Sequence, residues 1–188
     1  MIPFSLEHAK EILQRTPAVL DALLRELPED WVMMSDDGKS WSPFDVVGHL
    51  IHGERTDWIP RARSILEHGA DISFEPFDRL AMLEASNGKS LDELLVEFRS
   101  RRTENLMILD QLGITAKQLH LKGIHPDFGE VTLQQLIAAW VVHDLGHLTQ
   151  ITRSMARQYT DEVGPWRAYM SVLHRDQGHV SRDKYDER

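Results

Sequence analysis

Apolar side chains recur every three to four residues along most of this chain, the spacing of amphipathic helices. A first helical segment is predicted from Ser5, a good N-cap, to about Leu27, with Leu20, Leu23, Leu24 and Leu27 as its stripe. Pro17 falls inside it, so the segment either kinks there or restarts with Thr16 as cap. A loop from Pro28 to about Trp41 follows, with Ser35-Asp36-Asp37-Gly38 as a turn signal. The second helix opens on Ser42, with Pro43 in its first position and Asp45 near its positive end. It carries Val46, Val47, Leu50, Ile51, Trp58, Ala62, Ile65 and Leu66 to a stop near His68-Gly69, with Pro60 as a site of bending. Ala70 to Lys89 reads as irregular or partly helical.

The pairs Ser90/Glu93 and Thr132/Gln135 are capping boxes, and they open the third and fourth helices. The third ends at Gly113 and the fourth runs to about Tyr159. His125 to Gly129 reads as a turn. A short fifth helix is expected after Gly164-Pro165, ending near Leu173. No period-2 strand run and no internal repeat is visible. The pattern predicts an all-α protein, a four-helix bundle with a short additional C-terminal helix. Residues 1–173 form one domain on this reading, and 174–188 form a polar, poorly ordered tail.

Composition narrows the chemistry. The 188 residues contain no cysteine, which excludes disulfides, thiolate ligands and a cysteine nucleophile. Any metal must be held by nitrogen and oxygen. A formal net charge of −9 argues against a nucleic-acid partner. The densest basic run, Arg99, Arg101 and Arg102, is flanked by acidic residues and reads as a solvated helix face. The N-terminus lacks the pattern of a signal peptide, and Leu136 to Val142, the longest apolar run, is far short of a membrane span. No membrane partner and a cytoplasmic location are expected.

The histidines carry the sharpest signal. His143 and His147 are four apart, which on a helix puts both rings on one face, one turn apart. Two imidazoles so placed can share a cation. Both lie in an apolar stretch, where unpartnered rings would be costly to desolvate. A second cluster, His49 and His52, lies in the equally apolar stretch Val46 to His52, and either residue could supply a third nitrogen. Three histidines leave coordination positions open, the pattern of a reactive site.

Other residues attract weaker readings. Trp140, one turn from His143, is read as core packing or, with His52, as pocket lining. Asp144 occupies the place of the general base in a zincin-like HExxH and is one methylene short. It is read as solvent-facing or as a support to the ligands. Glu54 and Arg55 read as a solvated face rather than substrate contacts.

Four stretches together resemble the DinB/YfiT-like superfamily: Trp41 to Leu50, His125 to Leu133, His143 to Ile151, and Val163 to Tyr169. The resemblance spans roughly Thr16 to Leu173. It implies an up-down-down-up bundle and a metal triad of His49, His143 and His147, with His52 as the competing first ligand. It also implies a divalent ion (nickel, zinc or iron), a small-molecule substrate, a low-molecular-weight thiol and a homodimer. Characterised relatives include thiol-dependent transferases and isomerases. An enzyme of that kind and a non-catalytic metal-binding or stress-response module both remain open at this point.

Overall fold

A computed structural model describes residues 2–35, 40–78 and 80–174. Asp36 to Gly38 of the turn signal, and all of the expected tail beyond His174, lie outside the described residues.

Helix α1 (Leu6–Leu24) starts where expected, with the Ser5 hydroxyl accepting from the His8 amide. It neither breaks nor restarts at Pro17, which is buried within it. A short α2 (Glu29–Met33) occupies the expected loop. The predicted second helix is two: α3 (Pro43–Thr56) and α4 (Trp58–His68), joined at Asp57. Pro60 explains the junction. Its ring lacks an N–H, which costs nothing in the first turn of a new helix. A six-residue α5 (Ala81–Ser86) precedes α6 (Leu91–Gln111). The capping boxes expected at Ser90/Glu93 and Thr132/Gln135 are formed, and Ser42 and Asp45, expected as a cap and as a charge near the positive helix end, form a third.

The expected absence of strands is wrong in one place. β1 (Lys122–His125) and β2 (Gly129–Thr132) pair as an antiparallel hairpin, with Gly123 opposite Val131. Each strand has only four residues, too few to show a period in sequence. The hairpin delivers Thr132 to the start of α7 (Leu133–Arg157), and Leu133 N–H donates to Leu121 at 2.9 Å. Gly123 is needed there. A Cβ on it would sit 2.7 Å from Ile65 and 2.8 Å from Phe74. The predicted fifth helix is two 3₁₀ turns, Gly164–Tyr169 and Ser171–Leu173, too short and too exposed to hold an α-helical face.

Ion pairs fix the helix directions. Lys10 meets Asp110 and Arg25 meets Asp92, so α1 and α6 run antiparallel. Arg55 pairs with Glu97, and Arg102 with Glu54, while Ser86, shortly before α6 begins, lies against Gly48, so α3 and α6 run parallel. His49 meets His147 and Glu54 meets Trp140, so α3 and α7 run antiparallel. The result is the expected up-down-down-up four-helix bundle, with α1 and α3 each packed between α6 and α7.

The core has two apolar halves. One gathers Leu13, Trp58, Ile65, Leu109, Ile137 and Trp140; the other gathers Leu20, Val47, Leu50, Leu95, Phe98 and Ile151. Along α6 the change from one half to the other falls between Phe98 and Leu109. Along α7 it falls between Trp140 and Ile151. Polar residues fill that waist.

Candidate metal centre

The apolar faces of α3 and α7 orient the rings. Val46, Val47, Leu50 and Ile51 are buried against the other helices, which commits α3 to one rotation about its axis and turns His49 inward at 7% exposure. On α7, Ile137, Trp140 and Ile151 do the same for His143 and His147, which are half-buried. His49 Nε2 lies 3.0 Å from His143 Nε2, and His143 Nε2 lies 3.1 Å from His147 Nε2. The three donor atoms lie within 4.8 Å of one another.

The protonation pattern suits a cation. Gln150 Oε1 can only accept, so His147 Nδ1, at 2.9 Å, donates to it. His147 Nε2 therefore presents a lone pair to the centre. His143 Nε2 faces two other ring nitrogens and carries either a proton or a lone pair, so it cannot serve both with a full hydrogen bond. A single ion at about 2.0–2.1 Å from each nitrogen would use every lone pair. Burial pushes the His143 pKa down to about 2, with repulsion from His147, His49 and Arg102 adding to it. Burial also lowers that of His147, against opposing hydrogen bonding by Gln150 and attraction by Asp144. Both rings are thus neutral near pH 7, the form that ligates.

Aromatic rings wall the centre. Trp41 lies 4.7 Å from His49 and stacks on His147 at 6.4 Å, Phe77 stands edge-on to His49 at 5.4 Å, and Trp58 stands edge-on to His143 at 5.1 Å. These low-dielectric neighbours strengthen any charge interaction at the centre. His52, the competing first ligand, is not among the converging donors. Its ring packs on Phe77 at 4.8 Å, and its Nε2 is buried with no hydrogen-bond partner among the described residues. Trp140 is 2% exposed, stacks on Trp58 at 5.6 Å and donates from Nε1 to Glu54 at 3.1 Å.

Directly beside the histidines lies a charged cluster of Glu54 and Arg102, which sequence reasoning placed in solvent, and Asp144, which it read as solvent-facing or as a support to the ligands. Glu54, Arg102 and Asp144 are 3%, 1% and 0% exposed. Arg102 donates Nε and Nη2 to Glu54 Oε1 at 3.1 and 2.8 Å, and Nη1 and Nη2 to Asp144 at 2.6 and 3.0 Å. Asn105 Nδ2 donates to Glu54 Oε2 at 3.0 Å. The remaining capacity of Nη1 goes to the Leu13 carbonyl at 2.7 Å. That carbonyl is free because residue 17 is proline and has no N–H to return to it. One guanidinium on α6 thus joins α1, α3 and α7. The solvated-face reading does hold for Arg99, which is half-exposed, and partly for Arg101. Arg55 bonds Glu97 instead of facing solvent alone.

A signal for this cluster exists in the sequence. Arg102 and Asn105 fall on the line Leu95, Phe98, Arg102, Asn105, Leu109, and Asp144 falls on Ile137, Trp140, Asp144, Ile151. The phase of the apolar stripe predicts burial that residue type alone does not.

Comparison with known proteins agrees with this architecture. No curated protein matches the chain. Among solved structures, YfiT from Bacillus subtilis, described as a probable metal-dependent hydrolase with an unusual four-helix bundle topology, has a TM-score of 0.72 and 21% identity. That match covers 84% of this chain and 91% of YfiT. TT2238, described as a four-helix bundle protein, has a TM-score of 0.53 and 24% identity, covering 80% of this chain and 100% of its own. At such identities the likeness is one of fold. The DinB superfamily model matches residues 12–151, most of the chain and all three converging histidines, and the chain therefore belongs to the DinB superfamily.

Proposed function

We propose that this chain is a divalent-metal-dependent enzyme in which His49, His143 and His147 hold the ion and a small nucleophile is activated at its open positions. The observation that carries this reading is the convergence of three imidazoles on one point, with a lone pair of His147 Nε2 turned to the centre by the bond from Nδ1 to Gln150. A purely structural site would need a fourth protein ligand, and no fourth histidine or carboxylate joins the cluster among the described residues.

A bound divalent ion supplies Lewis acidity and lowers the pKa of a coordinated water or thiol. The chain's own contribution is positional. The α3 and α7 stripes aim the rings, Gln150 fixes a tautomer, and Trp41, Phe77 and Trp58 restrict water. The preferred nucleophile is a low-molecular-weight thiol, since the chain has no cysteine of its own, and the preferred reaction is transfer to a small electrophile. Hydrolysis is the second reading. It is favoured by the description of YfiT, whose fold this chain shares.

The test uses the full chain loaded with zinc or nickel. Thiol addition to epoxides is measured beside ester and amide hydrolysis without thiol. Thiol-dependent turnover that disappears in His147→Ala supports the preferred reading. Turnover only without thiol moves the assignment to hydrolysis. Equal rates for the wild type and His147→Ala in both assays would remove the enzymatic reading.

A further inference from the structure

The Glu54–Arg102–Asp144 cluster is unbalanced: two carboxylates share one guanidinium, which leaves one formal negative charge in the interior. Every group that meets the Glu54 carboxylate is a donor: Arg102 twice, Trp140 Nε1 and Asn105 Nδ2. That environment suits an ionised oxygen pair. The cluster also shares its helices with the ligands. Asp144 follows His143 directly, Glu54 is on the helix of His49, and Trp140 is one turn before His143. Burial removes the ionic screening that would silence such a charge at the surface.

We propose that Glu54 and Asp144 are positioning residues that set how tightly the histidine triad holds a divalent cation, through a buried negative charge that Arg102 only half cancels. This rests on the metal reading above. Neutral imidazoles bring no charge to compensate a dication, so a fixed negative charge nearby lowers the cost of placing one between apolar helices. Arg102 acts in the opposite sense while holding α1, α3, α6 and α7 in register.

The experiment is a Co²⁺ titration of the full chain, followed by absorbance and checked by competition with a chelator, with thermal stability recorded for each protein. Asp144→Asn and Glu54→Gln each keep the side-chain shape and remove the charge. Each is expected to weaken Co²⁺ binding by about tenfold or more while the cobalt absorption bands keep their wild-type positions. Arg102→Lys keeps the charge and loses the fork. It is expected to lower thermal stability with less effect on Co²⁺ affinity than either carboxylate variant. Should Asp144→Asn fail to fold, Glu54→Gln carries the same expectation. Unchanged affinity in the folded carboxylate variants, or an equal loss in Arg102→Lys, would overturn the proposal and leave the metal reading intact. A wild-type chain that takes up no Co²⁺ would instead overturn the metal reading, and this inference with it.

Discussion

Replacing Arg102 by methionine tests the waist of the bundle. Methionine fills much of the stem volume but removes five hydrogen bonds: two to Glu54, two to Asp144 and one to the Leu13 carbonyl. Arg102 is 1% exposed, so water cannot take its place without opening the core. Breaking a buried ion pair by removing one partner costs about 3–5 kcal/mol, because the remaining charge is left uncompensated. An unsatisfied buried carbonyl adds about 1–3 kcal/mol. These do not add simply, but a loss of at least about 3 kcal/mol is expected. A domain of this kind has about 5–15 kcal/mol in total, so the variant should be marginal. Urea unfolding of the metal-free protein at pH 7 measures it, with the slope checked for constancy. Adding Glu54→Gln and Asp144→Asn to Arg102→Met removes the stranded charges and should restore most of the loss. A single-variant loss below about 1 kcal/mol, or a triple variant no better than the single, would refute the reasoning.

Two further outcomes follow from local geometry. Gly123→Ala should destabilise by about 1–3 kcal/mol, because its Cβ meets both Ile65 and Phe74 inside contact distance, and Phe74→Leu in the same chain should recover part of that in thermal melts. At Glu97, burial raises the pKa, but hydrogen bonds from Lys89, Arg101 and Arg55 outweigh it and hold the carboxylate at about 2. Its stabilisation is therefore complete above the unfolded value near 4.5 and is lost as pH falls toward 2. The stability difference between the wild type and Glu97→Gln, measured by denaturant unfolding, should be flat from pH 7 to about 5 and shrink below 4.5. A difference that grows with acid would contradict the assignment.

The parts of this fold that were legible in sequence are those set by neighbours within one turn. The Ser5 and Ser42 caps and the capping boxes at Ser90/Glu93 and Thr132/Gln135 mark the long-helix starts because donor and acceptor lie three residues apart. His143 and His147 were paired for the same reason. The choice between His49 and His52 was not local. Both lie on α3, and only its packing against α7 brings one of them, His49, to the other two rings. The burial of Glu54 and Arg102 was missed, and that of Asp144 was left undecided, because these charges find their partners 42 or 48 residues away and no neighbouring residue announces that pairing. Pro17 was read as a kink or a restart. Its helix is continuous, and its consequence lies across the bundle, where Arg102 takes the carbonyl that proline leaves free. The hairpin is a further case in which tertiary packing decided what a short, weakly patterned stretch becomes.

The most direct test of the account is metal stoichiometry by elemental analysis of the full chain after zinc or nickel loading and removal of excess ion, with His143→Ala measured beside it. The account predicts about one ion per chain in the wild type and close to none in a folded His143→Ala protein, since His143 Nε2 is the atom that both other ring nitrogens approach. A wild-type chain that retains no ion, or a variant that retains as much as the wild type, would contradict it.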